Sequence, residues 1–328
     1  MQFFTPHNDK IICNLCKHYC KLRDYQVGFC GVNRNKDGRL ENLVYGYPSA
    51  LNIDPIEKKP LFHFLPRSTI FSIGTVGCNF RCPFCQNHGI SQSKQIDKAK
   101  YYTPEEIVSI AKIRGCKSIA FTYNEPTIFY PYARDICIVA KEQGIKTVFV
   151  SNGCESSEMI EDMSQHIDGI NVDLKSFDAK YYKKELKGNL EWVLENLVRL
   201  KQSGIWLEVT TLVIDGFNNS TPMLEQMASF IYDNLGSTTP WHLSAFHPDY
   251  KMLGHTHTHM SSLYNGYEIG IKTGLEYVYM GNVAGLATTK CKKCKSELIT
   301  RERHQVLVNH LQNGHCPNCN EILEGVFI

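Results

Sequence analysis

Cys78-x3-Cys82-x2-Cys85 is spaced to bring three thiolates round one loop, and no fourth cysteine lies near enough in the chain to close the set. Structural zinc takes four ligands, so this loop is poor zinc chemistry unless His88 completes it. A four-iron cubane held by three thiolates keeps one iron free for an outside ligand. The loop therefore reads as a cluster site with an open position. The chain has 14 cysteines in all. Cys13-x2-Cys16-x3-Cys20-x9-Cys30 and Cys291-x2-Cys294-x21-Cys316-x2-Cys319 are closed sets of four. The second is close to a zinc-ribbon spacing and is expected to hold structural zinc. The first is assigned to zinc ahead of an auxiliary iron–sulfur cluster, because thiolates serve both. Cys116, Cys137 and Cys154 fall in apolar stretches and read as small buried hydrophobes.

Positioning such groups requires a scaffold, and the apolar runs describe one. β-branched and aromatic segments recur at about 69–76, 117–123, 145–150, 168–174, 205–213, 240–246 and 275–280, with helical stretches between most of them. Thr103-Pro104-Glu105-Glu106 is a capping box opening a helix to about Arg114. Helices are also expected over Thr127 to Gln143, stopped by Gly144, and over Asn189 to Ser203, stopped by Gly204. Another runs from Thr221-Pro222 to about Leu235. Alternating strands and helices of this length mean parallel βαβ units. The expected fold class is α/β, a partial (β/α)6-type TIM barrel, with an open doubly wound sheet as the alternative. Reactive groups then belong at the C-terminal strand ends. The three-cysteine loop, Asn124-Glu125-Pro126, Ser151-Asn152-Gly153, Asp173-Leu174-Lys175 and His247-Pro248 all follow strands in this way.

The chain divides into a Cys-rich metal-binding segment at 1–45, a strap at 46–66, a core at 67–283 and a zinc-ribbon-like unit at 288–328. Residues 1–45 are too few for an independent core and need a metal or a neighbour. The strap carries four prolines and Glu57-Lys58-Lys59, and is expected on a surface. Lysines and arginines number 35 against 33 acidic residues, a net charge of +2, which weakens any case for nucleic acid. Lys290, Lys292, Lys293 and Lys295 around the last knuckle read as solvated lysines before an RNA contact. No apolar run reaches a membrane span, and residues 1–10 lack a secretory pattern, so a cytoplasmic location with reduced thiols is expected. Gly254-His255-Thr256-His257-Thr258-His259 invites a metal assignment. Without an acidic partner in its own sequence, and with Thr258 available as an N-cap, it reads as a helix start.

Cys78-Asn79-Phe80-Arg81-Cys82-Pro83-Phe84-Cys85-Gln86-Asn87 resembles the signature of the radical SAM superfamily. Asp54-Pro55-Ile56-Glu57-Lys58-Lys59-Pro60-Leu61-Phe62-His63-Phe64, Asn124-Glu125-Pro126, Asp173-Leu174-Lys175 and Tyr279-Met280-Gly281-Asn282-Val283 look like relatives of pyruvate formate-lyase-activating enzyme. The likeness is greatest to the radical SAM member of the AmmeMemoRadiSam group and spans nearly the whole chain. It implies a 4Fe–4S cluster on Cys78, Cys82 and Cys85 that binds S-adenosylmethionine (SAM). It also implies reductive cleavage of SAM to a 5′-deoxyadenosyl radical that abstracts hydrogen from an unidentified substrate. By the same resemblance Glu125 faces the SAM amino group, and Ser151, Asn152, Asp173 and Lys175 surround its ribose, carboxylate or sulfonium. His247 reaches the SAM site, Phe84 borders the adenine, and Asn87 matches the motif. A reductant such as flavodoxin or ferredoxin is implied, with Memo-like and AMMECR-like proteins as partners. Tyr123 and Asn124 replace two glycines of the activating enzymes, and Ser151 replaces their Asp-Thr. Competing readings are an activase of a glycyl-radical enzyme, an RNA-modifying radical enzyme, and a non-catalytic metal-stapled module binding RNA or protein.

Overall fold

A computed structural model describes residues 2–327. The alternating segments from Thr69 onward build a single sheet whose strands run β6 (Ala50–Pro55), β7 (Thr69–Gly74), β8 (Ser118–Phe121), β9 (Lys146–Ser151), β10 (Gly169–Asp173), β11 (Trp206–Val213), β12 (Trp241–Ala245) and β13 (Val278–Gly281). They lie in that order across the sheet, parallel except for β6, which pairs antiparallel with β7. The sheet is open, with β6 and β13 as its edges. Between the strands run α1 (His88–Ser91), α2 (Pro104–Ile113), α3 (Tyr130–Glu142), α4 (Ser157–Met163), α5 (Ala179–Tyr181), α6 (Leu190–Gln202), α7 (Thr221–Leu235) and α8 (Met260–Thr273). No helix among the described residues is long and apolar enough to cross a membrane.

Alternation along each strand sorts the two faces. Phe121, Phe149, Val172, Val209 and Leu243 join helix residues such as Ile107, Ile136, Leu197 and Leu224 in the main core. Their neighbours Thr122, Val150, Asp173, Thr210, His242 and Ser244 line a cavity on the other face. Thr103 caps α2 through a complete capping box. The helix expected from Thr127 starts instead at Tyr130, because Pro126–Phe129 forms a 3-10 turn capped by the Glu125 side chain.

The strap departs from the expectation of a surface segment. Its first part is strand β6, and Leu61, Phe62, His63 and Phe64 are almost wholly buried. Of the charges that suggest exposure, Lys58 is exposed but Glu57 and Lys59 are buried in pairs. Lys59 meets Asp54 at 2.6 Å, and Glu57 approaches Arg301 at 3.8 Å. Such burial is tolerated only because partners replace water.

Both cysteine-rich ends are small sheets docked on this core. Strands β1 (Phe4–His7), β2 (Lys10–Cys13) and β3 (Lys21–Arg23) form one sheet, and β4 (Asn33–Lys36) and β5 (Arg39–Asn42) a hairpin. Toward the C-terminus, β14 (Leu286–Lys290), β15 (Glu297–Glu302) and β16 (Gln305–Asn309) form an antiparallel sheet. Its core residues Leu298, Ile299 and Val306 cluster with Phe62, Tyr277 and Tyr279. Of the basic knuckle residues, Lys292 pairs with Glu321 and Glu324 and Lys295 with Glu276, so those two are in ion pairs within the chain.

Candidate active site and metal centres

The strand ends converge on one cavity of about 470 Å³. Cys78, Cys82 and Cys85 lie on its wall with Phe84, Asn87, Glu125, Ser151, Asn152, Asp173 and Lys175, and Lys59, Thr210, His242 and Met280 also contribute. All but one of the expected SAM-contacting residues are thus brought together. The exception is His247, which is exposed, 6.4 Å from the His257 ring and outside the lining. Strand β12 ends at Ala245, and the following Phe246 is buried instead.

The cysteine loop fits an electron-poor metal cluster. Burial pushes the Cys78 thiol far up and Cys82 up to about 12. Deprotonation there needs positive charge, which a bound metal would supply. The Phe80 N–H donates to Cys78 Sγ at 3.4 Å, and the Ser91 hydroxyl lies 3.1 Å from Cys85 Sγ. The three soft donors share one wall, and no fourth cysteine is in the lining.

Lys175 Nζ bonds Asp173 at 2.7 Å and stands 5.8 Å from the Phe84 ring centre. Burial lowers its affinity for a proton, but Asp173 and Cys82 raise it further, so it stays charged. Glu125 is buried and already engaged. Its carboxylate accepts from the Thr127 N–H and hydroxyl, the Ser151 hydroxyl and, at 2.7 Å, the Asn152 N–H. Burial first, then repulsion from buried Glu155, raises the Glu125 pKa, and Ser151 bridges the two carboxyls. This leaves Glu125 less free to meet an amino group than the resemblance implied.

Tyr123 adopts a backbone conformation that glycine would take more easily. Its φ is +72°, in the left-handed region that favours glycine. Such strain costs roughly 1–3 kcal/mol and persists where contacts over-determine it. Here the Tyr123 hydroxyl donates to Asp54 at 2.8 Å and Lys59 sits over its ring.

The N-terminal segment packs directly behind the cysteine loop. His18 Nε2 lies 2.9 Å from the Asn79 carbonyl, and Arg81 donates to the Phe29 carbonyl at 2.6 Å. Gly77 has φ +89°, and a Cβ there would lie 2.7 Å from the Cys30 carbonyl oxygen. Gly77→Ala is therefore expected to lower stability by about 1–3 kcal/mol and to loosen the loop. Thermal unfolding with iron content before and after would register both losses. An unchanged protein would show that the close approach is dispensable.

Only one set of three or more Cys, His or carboxylate ligand atoms among the described residues lies wholly within 4.8 Å, that of Cys291, Cys294, Cys316 and Cys319. Cys291–Cys319 and Cys294–Cys316 sulfurs are each 3.6 Å apart. The histidines at 255, 257 and 259 are no such set. His259, not Thr258, caps α8, and it has an acidic partner after all, Asp215 at 2.8 Å. Thr258 instead donates to the Val213 carbonyl and accepts from the Phe246 N–H. Cys116 and Cys137 are buried in the main core, and Cys154 is buried beside Cys16.

The radical SAM superfamily model matches residues 72–231. An uncharacterized protein of Methanocaldococcus jannaschii is 38% identical over 323 residues, or 97% of this chain and 96% of its own. The chain belongs to the radical SAM superfamily. As a radical SAM protein it is an enzyme, of a class that uses a 4Fe–4S cluster, SAM and an external electron donor. The 4-hydroxyphenylacetate decarboxylase activating enzyme of Clostridioides difficile is 27% identical over 144 residues, 42% of this chain and 45% of that one. The GTP 3',8-cyclase of Aquifex aeolicus is 29% identical over 168 residues, 49% and 51% of the two chains. The matches thus span about half of each of these radical SAM relatives. Streptococcus suis SuiB bound to S-adenosylmethionine shares the fold at TM-score 0.53 and 14% identity, covering 70% of this chain and 53% of that one. Membership displaces the alternative of a non-catalytic module.

Several cavity residues carried no assigned role in the sequence. Thr210 and His242 stand within strands whose apolar runs drew attention away from them, although a His in a buried strand is itself a signal. Arg303 and His304 reach the margin from the β15–β16 turn. Nothing in their local sequence announces that.

Proposed function

We propose that the protein cleaves SAM at a cluster on Cys78, Cys82 and Cys85 and abstracts hydrogen from a substrate in the same cavity. The observation that carries this is the shared lining, which holds the three thiols, the Asp173–Lys175 pair and the Asn152 amide. When bound, the cluster and SAM supply one-electron reductive cleavage and a hydrogen-abstracting carbon radical. Charged Lys175, backed by Asp173, offers the cationic partner for a carboxylate. Phe84 supplies an apolar surface for a purine, and Asn87 and Asn152 offer polar contacts at either side. Glu125 acts through Asn152, whose N–H it holds in place. The strand ends and the strap form part of the cavity wall, and shielding from water there would protect a radical from quenching. Electrons come from a flavodoxin- or ferredoxin-type donor. The C-terminal four-cysteine set holds structural zinc, since its 3.6 Å sulfur separations suit a single ion.

Anaerobic protein reconstituted with iron and sulfide, given SAM and dithionite, is expected to yield 5′-deoxyadenosine and methionine in equal amounts. Iron-loaded protein that releases neither would refute the reading. A second reading, activation of a glycyl-radical partner, is favoured by the likeness to the activating enzyme of Clostridioides difficile. A glycyl-radical resonance on an added polypeptide would separate it from small-molecule chemistry. The strap and 279–283 motifs also support placement in the AmmeMemoRadiSam branch, with Memo-like and AMMECR-like proteins as partners. Co-purification with either would test this.

A further inference from the structure

We propose that Cys13, Cys16, Cys20 and Cys30 hold an iron–sulfur cluster rather than zinc, forming a second redox centre behind the first. Tetrahedral zinc with bonds of about 2.3 Å draws its four sulfurs to about 3.8 Å from one another. The C-terminal cysteines show that spacing, but no three of the N-terminal thiols lie within 4.8 Å of one another. In this they match Cys78, Cys82 and Cys85, which are also spread more widely. Thiolates on different irons of a cluster are held apart by the body of the cluster, whereas thiolates on one ion are not.

The N-terminal thiols also face one shared space. Cys13, Cys16, Cys20 and Cys30 line one small cavity together with His18, Asn33, Asn79 and an apolar wall that includes Leu15 and Ile128. Two amides are arranged for sulfur acceptors. Asn33 Nδ2 donates to Cys30 Sγ at 3.5 Å. Asn79 Nδ2 is buried without any hydrogen-bond partner and stands by Cys16. A buried donor left unpaired is costly, and cluster thiolate or sulfide would satisfy it. Asn79 is also the residue after Cys78, and the Cys30 carbonyl abuts Gly77 just before it. The two cysteine sites are thus contiguous through a few residues of one loop.

The test is a full-length variant with Cys78, Cys82 and Cys85 all changed to alanine, purified and reconstituted anaerobically. It is expected to retain iron and acid-labile sulfide in equal amounts, roughly two to four of each per chain, with one zinc. Dithionite should then produce a paramagnetic cluster signal. Further replacement of Cys20 and Cys30 by serine should remove that iron and signal while leaving zinc unchanged. Two zinc ions per chain and no sulfide in the triple variant would overturn the proposal. Should that variant fail to fold, Mössbauer spectra of the unaltered protein decide. One closed four-thiolate cluster beside one three-thiolate cluster supports the proposal, and the three-thiolate cluster alone overturns it. Failure here leaves SAM cleavage by the unaltered protein intact, whereas failure of the radical reading leaves the triple variant's iron intact.

Discussion

Cys82→Ala is expected to reduce 5′-deoxyadenosine formation to the level of protein-free buffer and to remove about four irons per chain. Cys82 is buried in the cavity wall, and the set to which it belongs has no spare thiol. Losing one of three ligands leaves the cluster short of a protein anchor as well as its open position. The change is chemically narrow. The Cys82 carbonyl still accepts from the Cys85 N–H, so the loop keeps its turn, and the C-terminal cysteines lie in a separate sheet. Zinc content and thermal unfolding of the C-terminal unit should therefore match the unaltered protein. Undiminished SAM cleavage by this variant would place the chemistry elsewhere.

Glu208→Ala is expected to be the most destabilising single change, by about 3–5 kcal/mol, because it strips the partner from a buried charge network. The Glu208 carboxylate accepts from the Phe62 N–H at 2.9 Å, the His63 N–H at 2.8 Å, Trp206 Nε1 at 3.0 Å and His242 Nε2 at 2.6 Å. Burial alone would raise its pKa, but His242 and His63 hold it down to about 2. A depressed carboxyl gives stability that is fully present above its unfolded value near 4.5 and is lost as pH falls toward 2. The shift corresponds to roughly 3 kcal/mol. Burial also lowers His63 to about 4, so the unfolded chain takes up a proton there first, between about pH 6.5 and 4. Acid unfolding should begin with the histidine stage and steepen below pH 4.5. In the variant the second stage should vanish. Chemical denaturation at pH 7 and pH 4 measures both, and a loss under about 1 kcal/mol would show that the network is not needed.

Much of the site could be read because its chemistry is local. Three cysteines in eight residues and polar groups after each apolar strand need no distant partner to be noticed. Helix ends were equally local. Asn189 caps α6 and Gly144 follows α3 in the left-handed conformation. In the strap, prolines and charges signal exposure, whereas Lys59 and Glu57 are buried by pairing with groups up to hundreds of residues away. His247 is a related case. The strand stops two residues before it, and one ring turned outward cannot be told from one turned inward by type alone. Glu208 is masked by the β-branched run of Trp206–Val213, although a buried carboxylate in a strand must find partners or unfold it.

The floor beneath the cavity is joined across very long stretches of chain. His63 bonds the Glu324 carbonyl at 2.8 Å, Arg301 bonds the Phe62 carbonyl at 2.6 Å, and Phe64 pairs with Val326. Each contact closes a loop that contains nearly the whole sheet. Closing such loops costs entropy before any contact rewards it, and contacts of this kind slow folding. The floor is consequently expected to consolidate late in refolding, and amides at residues 60–64 and 324–326 should gain protection together, after those of the central strands.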